Sequence, residues 1–375
     1  MSAGLYLHIP FCKSRCSYCD FATDVYRDAN SVERYVNALV AEISASRPPA
    51  DGTQNVDTVY FGGGTPSLLT PRQVEQILAS VNDKFSIDAN AEITLEMNPA
   101  TVTSESLREY KRLGINRASF GVQTFNDRAL RLLARGHDAN DARQTFETLR
   151  AAGFRNVSFD LIAGLPAQTL DDWKRNLDEA IRMLPEHLSL YLLEIHEGTP
   201  LAEQIHSGRQ PKPDEDLAAR MYEMMCERLT SAGYEQYEIS NFARNGFESR
   251  HNTKYWRLEP VYGFGVSAHS FDGQHRYSNE RDTAKYVEQI ENFRTAEVTR
   301  EQIDIASEFV FLGLRLDEGI DLNEFSKRFG IDLEAAYKSD LDRLLDDGLI
   351  EIHIDRIRLT QKGKLFSNEI FAIFV

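Results

Sequence analysis

The sequence has few cysteines, no long apolar run and no surplus of positive charge, and each shortage excludes a class of protein. Four cysteines in 375 residues are too few for a disulfide-stabilised scaffold. No stretch approaches the roughly 18 consecutive apolar residues of a membrane-spanning helix, so we expect no membrane span. The formal net charge of −16 works against nucleic-acid binding, because phosphates are neutralised by Lys and Arg.

The N-terminus also lacks the features of a targeting segment. No basic residue precedes the first apolar stretch, and His8 and Pro10 interrupt it, so we expect no signal peptide. Together with the scarcity of cysteine, this predicts a cytoplasmic protein.

Short apolar strands alternate with amphipathic helices through about the first 240 residues. Three of the predicted helices end in a glycine, at Gly114, Gly153 and Gly233. These glycines are spaced 39 and then 80 residues apart (153 − 114 and 233 − 153), which corresponds to one and two repeats of a βα unit. The predicted strands are Leu5–His8, Val56–Phe61, Ile93–Glu96, Arg117–Phe120, Asn156–Leu161 and Leu188–Leu193, with an extra strand at Tyr237–Ile239. We therefore predict an α/β fold with an incomplete (β/α)6 barrel, since eight units would close a full one; a doubly wound open sheet is the alternative.

The pattern changes near residue 240 and predicts three segments, residues 1–240, 241–298 and 299–375. The middle segment is rich in aromatic residues, Asn, His and Gly, and it has no clean period. The last segment predicts a small winged-helix-like α+β domain. Its predicted elements are a helix from Glu301 to Leu316, helices at Leu322–Phe329 and Leu333–Asp347, and a hairpin of Leu349–Ile354 and Arg356–Leu359.

Winged-helix domains often bind DNA through their third helix, and here the charge of that helix argues against it. The predicted third helix has two basic residues, Lys338 and Arg343. They are outnumbered by its acidic residues, which are Glu334, Asp340, Asp342, Asp346 and Asp347. Because contact with phosphate requires cationic groups, we predict no nucleic-acid partner.

Three of the four cysteines are clustered. Cys12, Cys16 and Cys19 follow the first strand with C-x3-C-x2-C spacing. Thiolates this close together can ligate one iron–sulfur cluster, and three ligands on a cubane leave one iron open to a small chelating molecule. A zinc site with His8 as the fourth ligand and unligated thiols are the alternatives. Cys226 stands alone in an amphipathic helix, where a buried, inert thiol is expected.

The residues around the cysteines resemble a known signature. YLHIPFC at residues 6–12, followed by Cys16, Tyr18 and Cys19, is similar to the motif of radical S-adenosylmethionine (SAM) proteins, specifically the coproporphyrinogen-dehydrogenase-like family. The resemblance spans nearly the whole chain and implies a radical-SAM barrel that carries a [4Fe–4S] cluster on Cys12, Cys16 and Cys19, with SAM at the open iron. In this family the reduced cluster passes an electron to SAM and yields a 5′-deoxyadenosyl radical.

The resemblance also implies contacts to SAM near the ends of the strands, where barrel active sites gather. GGGTP at residues 62–66 resembles the loop that binds the SAM amino group, and the Arg135 guanidinium could pair with the SAM carboxylate. Glu96, Gln123 and Asp160 are expected at, or just after, the ends of the third, fourth and fifth strands. The implied SAM contacts are Tyr6, Gly63, Gly64, Thr65, Glu96, Gln123, Arg135 and Asp160.

Two branches of this family differ in activity. The dehydrogenase has an extended N-terminal arm and a further cysteine two residues beyond the third ligand; here the motif starts at residue 12, and Phe21 stands at that position. These departures, and the H-N-x-x-Y-W motif that begins at His251, resemble the family's shorter haem chaperones. They imply His251, Tyr255 and Trp256 as haem contacts, because imidazole can ligate iron and aromatic rings can stack on the macrocycle. His269 is an alternative ligand, although a hydrogen-bonded histidine is expected there.

We therefore predict a haem chaperone that binds haem as cargo. The resemblance implies delivery to haem-requiring acceptor proteins, specifically respiratory membrane enzymes. The alternatives are an oxygen-independent coproporphyrinogen III dehydrogenase, which decarboxylates its substrate oxidatively, and a winged-helix iron–sulfur sensor. The sequence leaves open whether SAM is cleaved, and therefore whether the protein is an enzyme.

Overall fold

The structure is organised around one twelve-stranded sheet. The computed structural model of the chain describes residues 2–46 and 55–374. The strands up to residue 192 are β1 (Ala3–Ile9), β2 (Phe11–Cys12), β3 (Asp24–Val25), β4 (Asn55–Gly63), β5 (Ser86–Met97), β6 (Arg117–Gln123), β7 (Val157–Ala163) and β8 (His187–Leu192). The helices of this region are α1 (Ala29–Ala45), α2 (Pro71–Lys84), α3 (Ser104–Arg112), α4 (Asp127–Leu132), α5 (Ala139–Ala151) and α6 (Leu170–Met183), with a 3-10 turn at Pro66–Leu68.

Six strands form the predicted parallel unit. In the order β1-β4-β5-β6-β7-β8 they lie side by side and pair in parallel. Every connection between them contains at least one helix, as parallel pairing requires. The six predicted strands are confirmed, although β5 begins at Ser86 rather than Ile93 and β7 continues to Ala163. The glycines predicted to end helices, Gly114, Gly153 and Gly233, all have positive φ.

Further strands extend the sheet at both edges. They are β9 (Glu235–Glu238), β10 (Asn241–Ala243), β11 (Val261–Phe264), β12 (His269–Phe271), β13 (His275–Asn279) and β14 (Glu297–Gln302), with helices α7 (Pro200–His206), α8 (Glu215–Ser231), α9 (Arg250–Trp256) and α10 (Thr283–Phe293). The strand β11 pairs in parallel with β1, and β10 pairs antiparallel with β8. In the described residues the end strands β14 and β9 do not pair with each other, so the barrel is incomplete, as predicted.

The remaining elements form a small α+β unit. They are α11 (Ile305–Gly313), β15 (Ile320–Asp321), α12 (Leu322–Phe329), α13 (Leu333–Ala336), α14 (Lys338–Asp346), β16 (Ile350–His353), β17 (Arg356–Leu359), α15 (Gln361–Leu365) and α16 (Ser367–Phe371). The predicted hairpin is confirmed, and β15 adds a third strand to it. Within the described ranges, no helix is both long and apolar enough to cross a bilayer.

Two helix predictions for this unit were wrong in their bounds. The predicted helix from Glu301 begins only at Ile305, because Asp304 caps its first turn, whereas the residues before it form β14 and pair with β13. The predicted helix Leu333–Asp347 is two helices. Its break falls at Tyr337, whose φ of −116° and ψ of 27° leave the helical region and whose ring packs on Phe374.

The two faces of the parallel sheet differ in polarity. In β1, Leu5, Leu7 and Ile9 join one apolar core with side chains of the surrounding helices. The residues between them, Gly4, Tyr6 and His8, share the opposite face with Thr58, Tyr60 and Gly62 of β4. Because buried polar groups must find partners, a polar inner face is typical of a binding cavity rather than a packed core.

Candidate functional site

The three clustered cysteines lie in a loop that begins at the end of the first strand. The loop is held by parallel pairing of Phe11 with Asp24 and by two hydrogen bonds from Ser17 to the backbone carbonyls of residues 132 and 133, each 3.0 Å long. Cys12, Cys16 and Cys19 are all half-buried and unbridged. The fold therefore brings the predicted cluster ligands together in one fixed loop, which we call the cysteine loop (residues 12–19).

Polar neighbours surround these thiols. Burial raises the pKa of Cys12 to about 11 and also raises the pKa of Cys19. The Thr65 hydroxyl donates to Cys12 Sγ at 3.5 Å, and Arg135 Nη1 donates to Cys16 Sγ at 3.4 Å. Donors of this kind stabilise a thiolate, which is the form that binds metal. The donor set therefore fits an iron–sulfur cluster.

The zinc alternative fits the structure less well. Both ring nitrogens of His8 are engaged, Nδ1 with the Tyr6 hydroxyl at 3.1 Å and Nε2 with the Ala22 carbonyl at 2.9 Å. Among residues 2–46 and 55–374, no three His, Cys, Asp or Glu side chains converge on a point where they could hold a single metal ion. A cubane holds its thiolates further apart, since each one binds a different iron.

The glycine loop (residues 62–66) packs directly on residues 8–11, the segment that leads into the cysteine loop. Gly63 has φ of +108°, and a Cβ there would lie 2.7 Å from the His8 ring. A Cβ on Gly64 would lie 2.6 Å from the carbonyl oxygen of Pro10. Backbone hydrogen bonds of 2.8 Å from Gly64 to Ile9 and from Thr65 to Phe11 complete the contact. Glycine is therefore required here for the close approach of two backbones.

A half-buried carboxyl connects the glycine loop to the inner face of the sheet. Glu96 accepts a hydrogen bond of 2.6 Å from the Tyr60 hydroxyl and one of 3.2 Å from the backbone of Gly63. Burial, assisted by Asp160, raises the pKa of Glu96 to about 7. The carboxyl consequently changes charge near neutral pH.

Gln123 and Arg135 meet over Gly121. A Cβ on Gly121 would lie 2.5 Å from Gln123 Nε2 and 3.1 Å from Arg135 Nη2. Gln123 is the last residue of β6 rather than the residue after it, and its φ is +64°. Asp160 lies in the middle of β7 rather than at its end, because β7 stays paired with β8 to Ala163. Burial raises the pKa of Asp160, while Ser189 and the positive charge of Arg117 oppose the rise.

Sequence reasoning missed one residue that joins these parts. The Asn98 side chain donates to Thr65 Oγ1 at 2.7 Å and accepts from Arg135 Nη2 at 2.5 Å. A cleft of about 50 Å³ opens between these three residues and Cys16. This volume is well below that of a complete cofactor site, so the cleft can receive only one end of a ligand. The position of Asn98, two residues after Glu96 and just beyond its strand, was the available signal.

The motif residue His251, in α9, is buried against strands β1 and β4 rather than lying on the surface. It is 1% exposed, its Nδ1 is 2.9 Å from Thr58 Oγ1, and its Nε2 is 3.2 Å from the Tyr255 hydroxyl. Its ring stacks on Tyr60 and Tyr6, with centroid separations of 5.0 and 6.4 Å. We call these four residues, Tyr6, Tyr60, His251 and Tyr255, the His251 row. Burial lowers the pKa of His251 to about 3, so the imidazole is neutral.

The other predicted haem residues are placed differently. The Trp256 ring lies 4.3 Å beneath the Arg315 guanidinium, and its Nε1 is buried without a partner in the described residues. His269 is exposed, and no hydrogen bond of its side chain is seen in the described parts of the chain, contrary to expectation. Cys226 is half-buried rather than buried as expected, and its partial burial still raises the pKa of its thiol to about 11, which suits an inert thiol.

Comparison with known proteins identifies the family. The sequence models of the Radical SAM superfamily and of the HemN C-terminal domain match residues 6–180 and 301–366. Proteins named heme chaperone HemW from Bacillus subtilis and Escherichia coli are 37% and 34% identical, and each alignment covers 99% of this chain and 98% of the relative. The mouse mitochondrial radical S-adenosyl methionine domain-containing protein 1 is 35% identical over 96% of this chain and 84% of its own.

A solved structure shows the same fold. The coproporphyrinogen III oxidase HemN of Escherichia coli, described as a radical SAM enzyme, superposes with a TM-score of 0.86 and 26% identity, over 100% of this chain and 90% of that one. The chain therefore belongs to the radical SAM superfamily and, within it, to the HemW family of coproporphyrinogen-dehydrogenase-like proteins.

Proposed function

We propose that this protein is a haem chaperone, which binds haem and transfers it to haem-requiring acceptor proteins. The observation that carries the proposal is the similarity, over 99% of the chain, to proteins named heme chaperone HemW. Phe21 supports it, because the decarboxylating branch has cysteine at that position. Respiratory membrane enzymes are the proposed acceptors, and the proposed location is the cytoplasm.

The cysteine loop is the proposed site of the cluster. Cys12, Cys16 and Cys19 would each bind one iron of a [4Fe–4S] cluster, which supplies electron transfer and an open iron when bound. Thr65 and Arg135 donate hydrogen bonds to two of the sulfurs, and such donors tune a cluster's potential. Thr65 and Arg135 also hold the cysteine loop close to the sheet, since Thr65 follows β4 and Arg135 donates to the Gly121 carbonyl of β6.

Residues at the strand ends are the proposed contacts of SAM. Gly63 and Gly64 have no side chains to block a ligand beside the cysteine loop, and Thr65 follows them next to Cys12. The Arg135 guanidinium, whose Nε has no partner in the described residues, can receive a carboxylate. Glu96 and Asp160 are suited to ribose hydroxyls, with Gln123 and Tyr6 completing the set. Formation of 5′-deoxyadenosine would distinguish cleavage of SAM from binding alone.

Haem is proposed to contact His251, Tyr255 and Trp256. In the described structure both nitrogens of His251 are already hydrogen-bonded, so ligation of iron through Nε2 requires Tyr255 to release it. A neutral imidazole is the form that binds a metal, and the low pKa of His251 maintains it. Binding through this motif is thus coupled to a local opening of the His251 row.

The competing candidate is an oxygen-independent coproporphyrinogen III dehydrogenase. The TM-score of 0.86 to coproporphyrinogen III oxidase favours it. The winged-helix sensor has no such support, because the C-terminal unit matches the HemN C-terminal domain and its α14 is acidic.

One experiment separates the two candidates. The protein is reconstituted anaerobically, and its cluster is verified by electron paramagnetic resonance. One sample receives haemin and then an apo-haem protein; a second receives SAM, a reductant and coproporphyrinogen III. We expect haem to be retained through gel filtration and passed to the acceptor, with no decarboxylated porphyrin. Decarboxylation over many turnovers, accompanied by 5′-deoxyadenosine, would instead identify the dehydrogenase.

A further inference from the structure

A second and larger cavity borders the cysteine loop. Its volume is about 490 Å³, which lies within the range of small-molecule and cofactor sites. It is bounded by the chain on both sides of the cysteines, by the start of α1 and by the start of α10. It shares no lining residue with the cleft beside Arg135, so the proposed SAM site does not account for it.

The wall of this cavity contains exposed apolar side chains. Phe21 is 68% exposed and Val25 is 49% exposed, and both line the cavity. The adjacent Tyr26 is 39% exposed. Large apolar side chains concentrated within six residues at a cavity mark a binding surface rather than scattered surface residues. A planar aromatic ligand would cover Phe21 and remove this surface from water.

The same wall is cationic in a chain of strongly negative net charge. Arg15, Arg27, Arg34 and Arg281 line the cavity, against the two carboxylates Asp24 and Asp282. The carboxylate of Asp282 is occupied, because it caps α10 by accepting from the Lys285 backbone at 2.9 Å.

The four arginines are not equally available. Arg34 forms a bidentate pair with Glu291, and Arg281 bonds to the Asp20 carbonyl and carboxylate. Within residues 2–46 and 55–374, Arg15 donates one hydrogen bond, to the Cys19 carbonyl at 3.3 Å. Arg27 has no hydrogen-bond or ion-pair partner in the described parts of the chain. Two guanidinium groups, Arg15 and Arg27, therefore remain able to bind carboxylates on a ligand.

We propose that this cavity is the docking site of an iron tetrapyrrole, with the macrocycle on Phe21 and Val25 and its carboxylate side chains on Arg15 and Arg27. The proposal rests on the proposed function and adds an entry site to it. An entry site is needed because His251 is 1% exposed and cannot meet haem at the surface. A ligand with one large aromatic face and two carboxylates matches both the apolar wall and the two free arginines.

Titration of the cluster-loaded protein with haemin, followed by absorbance, tests this site. Phe21→Ser should raise the Kd for haemin about tenfold, since a stacked aromatic face is lost. Arg27→Ser should raise it about three- to tenfold, and it should change the Kd for haemin dimethyl ester by less than about twofold, because the ester has no carboxylates. Phe293→Ser and Arg72→Ser, which alter exposed residues of the same types outside the cavity, are the matched controls and should bind as the wild type does.

The outcomes separate the cavity from the proposed function. Haem binding by the wild type with an unchanged Kd in both cavity variants would overturn the docking site and leave the chaperone proposal intact. Failure of the wild type to bind haemin at all would overturn both proposals. An equal loss of affinity in the Phe293 or Arg72 control would also overturn the site, since the effect would then be general.

Discussion

The cysteine loop and the His251 row differ in how completely their polar atoms are satisfied. The three thiols are half-buried, and in the described part of the chain Cys12 and Cys16 each accept one long hydrogen bond, at 3.5 and 3.4 Å. His251 is almost fully buried, and both of its ring nitrogens have partners within 3.2 Å. The first site can accept ligands as it stands, whereas the second is closed.

This difference has an energetic consequence. To bind iron, the His251 ring must lose at least its contact with Tyr255, and a typical hydrogen bond contributes about 0.5–1.5 kcal/mol net. The cysteine loop has no such hydrogen bond to break, and its cost is deprotonation of the thiols, which burial makes harder for Cys12 and Cys19. A preformed site for the proposed cluster and SAM, together with a closed site for the proposed haem cargo, would allow the bound cofactor to influence when the second site opens.

The largest effect is expected at the cysteine loop. Cys12→Ser, Cys16→Ser and Cys19→Ser should each reduce the iron bound per chain by at least about tenfold. Loss of a contact behind a metal ligand already weakens metal binding about tenfold or more, and loss of the ligand itself should weaken it further. Iron analysis and electron paramagnetic resonance measure the effect, and Cys226→Ser is the matched control. A full cluster in any two of the three variants would mean that this loop is not the cluster site.

His251→Ala is expected to have the next largest effect. It should abolish the spectroscopic signature of nitrogen ligation in bound haem, while haemin still docks with a Kd within about threefold of the wild type. Tyr255→Phe, which frees Nε2 without removing the ring, is the matched variant and should strengthen that signature. An unchanged signature in His251→Ala would exclude His251 as the iron ligand. The contrast between an open cysteine loop and a closed His251 row would then have no bearing on haem binding.

The two sites also differ in how far they could be predicted. The cysteines and the GGGTP loop were recognisable because their ligand spacing is local in the sequence. Tyr60, Asn98 and Arg117 carry no motif. Strand register places Tyr60 and Arg117 on the same face, and Asn98 is placed by its contacts with Thr65 and Arg135 just beyond β5.

The burial of His251 was equally hidden. It depends on α9 packing against Gly4, where a Cβ would lie 3.2 Å from His251 Nδ1, and on the cap that Glu92 provides for the first residues of α9. Contacts between residues so far apart along the chain leave no trace in its periodicity.

A smaller effect is expected from two carboxyls, that of buried Glu42 and that of half-buried Glu96, which lies at the proposed SAM site. Burial raises the pKa of each to about 7, above the ordinary 4.5. The folded state therefore holds the proton more tightly, and each carboxyl lowers the free energy of unfolding as pH rises from about 4.5 to 7.

Glu42→Gln should reduce this pH dependence by about 1–3 kcal/mol, and Glu96→Gln by less, because Glu96 keeps some contact with solvent. Urea unfolding at pH 5 and 7.5 measures both. Only Glu96→Gln should also weaken SAM binding, by about tenfold. Equal losses of SAM affinity in the two variants would show that Glu96 acts through the fold rather than at the ligand.

The smallest effect is expected at Trp256, which lies outside the His251 row. Trp256→Phe keeps an aromatic ring beneath Arg315 and removes the rest of the indole, including Nε1, which has no partner in the described residues. Since Trp256 is only half-buried and no hydrogen bond is lost, the free energy of unfolding should fall by no more than about 1 kcal/mol and the haemin Kd should change by less than about twofold. A tenfold weaker Kd with unchanged stability would mean that the lost part of the indole contacts haem in the complex, so that the opening on haem binding extends beyond the His251 row to Trp256.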